Sequence, residues 1–113
     1  MNVQIFGTKK SFDTKKAQRF FKERCIKVQF IDLKEKEMSK GELTSVMQAV
    51  GGIDKLLNPK AKDEETLALI QHLIPSQRFD KLLENQQVLA EPIVRNGKKA
   101  TVGYCPDVWG AWE

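Results

Sequence analysis

At 113 residues, with 41% hydrophobic and 30% charged positions, the chain has the make-up of one globular domain and not of a disordered segment. Its 19 lysines and arginines against 15 acidic residues leave a charge of +4, and the two signs alternate through most of the chain, so direct nucleic-acid binding is not expected. No apolar run approaches the roughly 20 residues of a membrane span, Met1-Asn2-Val3 opens no signal peptide, and two cysteines with one histidine do not furnish a zinc site or a disulfide scaffold. The expectation is a cytoplasmic protein without metal or membrane contact.

Residues 2 to 6, around Val3-Gln4-Ile5-Phe6, read as a short buried strand, and "GTKKSFDTKKA" (7–17) as a loop leading into a helix. From Thr14, the apolar residues Ala17, Phe20, Phe21 and Cys25 recur at three and four, which predicts one apolar helix face to about Arg24, with Cys25 in the core. Ile26, Val28 and Phe30 then alternate with Lys27 and Gln29, a second strand, so the start of the chain reads as a βαβ unit with parallel strands.

Ser39-Lys40-Gly41-Glu42 has the form of a capping box. Leu43, Val46, Met47 and Val50 follow on one stripe, and Gly51-Gly52 is the stop. A further helix is predicted after Asp63, with Leu67, Ile70, Leu73 and Ile74 inward and Pro75 ending it. Another from Ser76 carries Phe79, Leu82 and Leu83 and stops near Asn85. Pro92 to Arg95 and Lys98 to Val102 flank Asn96-Gly97, the signature of a type I′ hairpin. Pro106 and Asp107 suit the first turn of a closing helix with Val108, Trp109 and Trp112, the tryptophans covering the sheet.

Three stretches, "FGTKKSFDTKKA", "GGIDKLLNPKAK" and "AEPIVRNGKKATVGYCP", in register along nearly the whole chain, resemble the arsenate reductase (ArsC) and Spx family. The resemblance implies an α/β, thioredoxin-like (glutaredoxin-like) fold: a mixed sheet of about four strands in one domain, residues 1–113, with a helical insertion at about 38–75. It also implies thiol–disulfide oxidoreductase chemistry of the arsenate reductase type. Members carry a reactive cysteine in the loop after the first strand. Counted from Lys15-Lys16-Ala17, that position here is Ser11, and the second cysteine of Spx-type switches falls on Thr14. A helix N-terminus activates a thiol by stabilising its thiolate. A serine hydroxyl gains no such ionisation, and no histidine stands nearby in sequence to act as its base.

The resemblance also places three anion-binding arginines of arsenate reductases on Glu91, Lys60 and Tyr104. A carboxylate repels an oxyanion, and a lysine only partly replaces a bidentate arginine. Pro92 matches the proline that is cis in this fold, which sets Glu91 beside the Ser11 loop. Gly103-Tyr104-Cys105 is expected near Ser11, with Cys105 capping the last helix as the nearest thiol; no Cys25–Cys105 disulfide is expected. The cluster Lys9, Lys10, Lys15 and Lys16 surrounds the same helix start, where an anion or acidic peptide could bind.

Family members take electrons from glutathione, glutaredoxin or thioredoxin, and no resident cofactor is implied. In Spx-type regulators the glycine matching Gly52 contacts the RNA polymerase α subunit, with Lys60 and Lys62 at neighbouring basic positions. Two functions follow from the resemblance: a redox enzyme silenced at Ser11, or a partner-binding regulator without redox control.

Overall fold

The computed structural model describes residues 1–112. Four strands, β1 (Val3–Gly7), β2 (Val28–Asp32), β3 (Ile93–Asn96) and β4 (Lys99–Val102), form one mixed sheet in the order β2-β1-β3-β4. β1 and β2 run parallel from Val3↔Val28 to Gly7↔Asp32, while β3 lies antiparallel to both β1 and β4. This is the α/β, thioredoxin-like architecture that the resemblance implies, and the βαβ reading of the first 32 residues holds.

The sheet buries two different faces. Val3, Ile5 and Val94 point to one side, where α1 (Phe12–Glu23) and α5 (Pro106–Gly110) bring Ala17, Phe20, Phe21 and Trp109. Phe6 and Ile93, one residue out of phase, point to the other side. There α2 (Lys40–Val50), α3 (Glu64–His72), α4 (Pro75–Glu84) and two 3₁₀ turns (Ile53–Leu56, Gln86–Val88) supply Leu43, Val46, Leu56, Ile70, Leu82 and Val88. The helical segment between β2 and β3 therefore covers one entire face, and α4 carries it to Glu84, beyond the expected end near residue 75.

Local chemistry explains most boundaries. The capping box forms as read: Ser39 Oγ accepts from the Glu42 amide at 3.2 Å, and Glu42 Oε1 accepts from the Ser39 amide at 2.9 Å. Gly51 ends α2 at φ 88°, a left-handed conformation that favours glycine.

Four expectations need correction. α1 starts at Phe12, two residues earlier than the periodicity suggested, because Ser11 caps it and the exposed Phe12 carries no core signal. Ile74 is exposed, because α3 stops at His72 and Pro75 opens α4 at the position where proline's missing N–H costs nothing. In the hairpin Asn96 pairs with Lys99, so the two-residue turn is Gly97-Lys98. Gly97 has φ 62° and Lys98 has no positive φ, which is the type II′ requirement, not type I′.

Cys25 is the fourth: it is exposed, with φ 57°, just past the end of α1. Its amide donates to Lys22 O at 3.0 Å and that of Ile26 to Phe21 O at 2.9 Å, the two bonds of a Schellman motif. The apolar position that follows Phe21 in space is Ile26, which packs with it against the sheet.

Candidate functional site

The site is built where β1 runs into α1. Gly7, the last residue of β1, is buried, and a Cβ placed there would lie on the Thr14 hydroxyl and 2.9 Å from the Thr14 methyl. Only glycine lets the strand pass this close to the first turn of α1. The chain then turns, with the Ser11 amide donating to Thr8 O at 3.3 Å, and Ser11 takes the extended conformation of an N-cap. Its Oγ accepts from the Thr14 amide at 3.2 Å, and its carbonyl accepts from Lys15 at 3.1 Å.

Among the described residues no side chain accepts the Ser11 proton. The only histidine, His72, is exposed in the last turn of α3. Ser11 is a helix cap with no general base.

The peptide bond Glu91-Pro92 is cis and sets Glu91 across from this loop. Glu91 Oε1 accepts from the Thr8 amide at 2.6 Å, from Thr8 Oγ1 at 2.9 Å and from the buried Thr14 Oγ1 at 3.2 Å. Thr8 Oγ1 also lies 3.2 Å from Oε2. Thr14 thus holds the cap of α1 through its amide and the carboxylate through its hydroxyl. The loop that follows β1 spends its donors on a group from the protein itself.

Ser11 and Glu91 share a cavity of about 590 Å³ that the helical segment completes. Lys10, Lys34, Lys60 and Lys62 line it, together with Glu37 and Asp63. Lys60 is brought in by backbone, because Asn58 N donates to Val88 O at 2.9 Å and Ala90 N to Leu56 O at 2.8 Å, around the bridge Leu57↔Leu89. Asn58 Oδ1 then turns the chain by accepting from the Lys60 amide at 2.9 Å. Asp63 accepts from Gln87 Nε2 at 3.0 Å and from the Thr66 amide at 3.2 Å, and these donors, Gln87 foremost, hold its carboxyl below the usual carboxylate range.

Sequence reasoning missed Lys34, Glu37, Asn58, Asp63, Gln86 and Gln87 as neighbours of Ser11, for they lie 23 or more residues away; all but Asn58, which sits in the stretch 51–62, fall outside the matching stretches. The buried Gln86 has the clearest role: its amide group donates to Met38 O and accepts from Met38 N, both at 2.8 Å, clamping the segment after β2. A larger groove, about 730 Å³, lies near Gln4, Lys27, Gln29 and Arg95, and holds none of the candidate residues.

Other expected neighbours are not in this cavity. Lys9 and Lys15 are exposed, and Lys15 Nζ sits 5.6 Å above the Phe12 ring. Lys16 Nζ lies 5.7 Å from the Tyr104 ring, and Tyr104 meets Trp109 edge to face at 5.5 Å, so Tyr104 belongs to the α1–α5 side. Of the basic cluster, Lys10 alone lines the cavity. Gly52 (φ 140°) precedes the first 3₁₀ turn and does not line the cavity, whereas Lys60 and Lys62 do.

Cys105 starts α5 but makes no side-chain cap bond; its thiol lies 3.4 Å from Val102 O, and the residue packs against the buried cluster of Val3, Ile5, Phe21, Val94 and Trp109. Burial pushes the thiol up from its ordinary value, against the Thr101 hydroxyl, which lowers it. The expected thiolate-stabilising cap is therefore absent: α5 has five residues and the sulfur turns toward the core. Both cysteines are free. Among the described residues no group of three or more His, Cys, Asp or Glu side chains is placed to hold a metal ion, and no helix is long and apolar enough to cross a membrane.

A sequence model of the ArsC family matches residues 6–112. Among solved structures, an arsenate reductase from Vibrio cholerae superposes with a TM-score of 0.81 at 22% identity, over 96% of this chain and 94% of that one. An ArsC family related protein from Bacteroides fragilis gives 0.87 at 16% identity, over 100% and 98%. An arsenate reductase (ArsC) related protein from Brucella melitensis gives 0.62 at 22%, over 99% and 94%. No curated protein matches the chain in sequence.

Proposed function

This chain is a member of the ArsC family, and from that premise we propose that it is an arsenate reductase-like protein of the thiol–disulfide oxidoreductase class whose redox step is silenced at Ser11. Reducing arsenate to arsenite takes two electrons, which thiols supply as they join into a disulfide. A serine has no corresponding oxidised partner to form. The observation that carries the reading is the geometry of Ser11: an N-cap whose Oγ accepts from the Thr14 amide, in a cavity with lysines around it and no thiol in its lining. Cys105 does not compensate, since its sulfur faces the core with its pKa raised by burial.

The frame around Ser11 would still favour a thiolate, because the free amides and dipole of the twelve-residue α1 point at this position. The test is the pH dependence of iodoacetamide alkylation in Ser11→Cys beside the parent, with Cys25 and Cys105 followed separately by peptide mass. An introduced thiol that titrates below the free value of about 8.5 supports a redox frame silenced by one atom. A value at or above it overturns the reading.

A further inference from the structure

The donors at the junction of β1 and α1 converge on one point, and the carboxylate found there is the protein's own. Three of them, the Thr8 N–H at 2.6 Å, the Thr8 hydroxyl at 2.9 Å and the Thr14 hydroxyl at 3.2 Å, meet on the single oxygen Glu91 Oε1. Among the described residues the one ion pair is Arg78–Asp54, so no lysine or arginine within 4 Å balances Glu91. Its partners are instead the uncharged donors of Thr8 and Thr14. Gly7 completes the fit, since a Cβ there would lie 3.2 Å from Oε1 as well as on the Thr14 hydroxyl.

We propose that Glu91 determines what this site accepts: its carboxylate sits as an internal anion on the donors of the β1–α1 junction and closes them to a free tetrahedral oxyanion. The same donors, with Lys10, Lys34, Lys60 and Lys62 around the cavity, form an oxyanion site once that carboxylate is gone. A phosphate-like ligand meets two obstacles in the parent. The donors are taken, and a like charge lies beside them. Glu91→Ala removes both, while Glu91→Gln removes the charge and leaves an amide on the donors.

The inference rests on reading this cavity as the functional site, but it involves no thiol, so it stands or falls separately from the alkylation experiment. Amide spectra of the parent, Glu91→Gln and Glu91→Ala are recorded during titration with inorganic phosphate at constant ionic strength. The parent should show no saturable shift in residues 8–15 up to about 10 mM, roughly ten times a millimolar Kd. Glu91→Ala should bind in the millimolar range with shifts confined to those residues, and Glu91→Gln should bind more weakly than Glu91→Ala but tighter than the parent.

A folded Glu91→Ala variant that binds no phosphate at residues 8–15 overturns the proposal. So does a parent that binds there as tightly as the variants. Should Glu91→Ala not fold, Glu91→Gln decides alone: the Thr8 amide proton, at low field in the parent because of its short bond to the carboxylate, moves upfield, and phosphate affinity at residues 8–15 rises by about tenfold or more. No change in either overturns it equally.

Discussion

Cys25 shows how one residue can be misread and why. Its spacing from Phe21 fits a buried helical position, but α1 ends at Glu23 and the left-handed turn at φ 57° swings the thiol into solvent. An L-residue in that conformation costs about 1–2 kcal/mol relative to a right-handed one, and glycine avoids most of it. Cys25→Gly is therefore expected to raise stability by about 0.5–1 kcal/mol, read as a higher urea midpoint at unchanged slope. A lower midpoint would mean that the side chain makes contacts worth more than the strain. The two thiols should also differ in reactivity. At pH 8 the exposed Cys25 is alkylated first, and Cys105 gains rate only at a more alkaline pH than a free thiol, because burial disfavours its thiolate. Equal rates at pH 8 would contradict the packing of Cys105 against the buried cluster around Trp109. Ser11→Ala is expected to cost about 1 kcal/mol through the lost cap.

At the scale of elements, Gln86 ties the two ends of the segment between β2 and β3 to each other, through buried hydrogen bonds to Met38. Replacing it by alanine leaves the Met38 N–H and C=O without their 2.8 Å partners in a closed environment, a loss of about 1–3 kcal/mol. Gln87→Ala on the exposed neighbour, whose contacts are to Asp63 and Asn85, serves as the control and should change stability in urea unfolding by about 0.5 kcal/mol or less. Equal losses for the two variants would show that the clamp contributes nothing specific. Helices with a cap and a stripe, such as α2 from Ser39 to Gly51, were readable because both signals are local. The clamp was not, for a glutamine 48 residues from its partner has no spacing by which to be recognised. The hairpin falls between these cases: its place was plain from Asn96-Gly97, yet the turn slipped by one residue because register depends on which pairs the sheet accepts.

For the molecule as a whole, pH acts on stability through groups of opposite sign. Asp54, held down by its bond to Arg78, and Asp63, held down by Gln87 and Thr66, both titrate below the ordinary 3.8 when folded. Their contribution is complete above that value and is lost as the pH falls through it toward the folded values. Cys105 is raised above the ordinary thiol value, so its contribution is complete below that value and is lost as the pH climbs from it through the raised folded one. Asp63→Asn should therefore flatten the acid limb of the stability curve and leave the alkaline limb unchanged; an acid limb as steep as the parent's would contradict the hydrogen-bonded carboxylate. The sequence by itself determined the strand–helix–strand opening, the capped α2, the family resemblance and the absence of a thiol at Ser11, because residue type, 3.6- and 2-residue periods and short motifs are local properties. Only the tertiary structure decided that Lys60 and Lys62 share a cavity with Ser11, that Tyr104 and Cys105 belong to the opposite face, and that Glu91 lies on the donors of Thr8 and Thr14. Those relations join residues up to 83 positions apart, and they come into being only when β3 pairs with β1 and both faces of the sheet are covered.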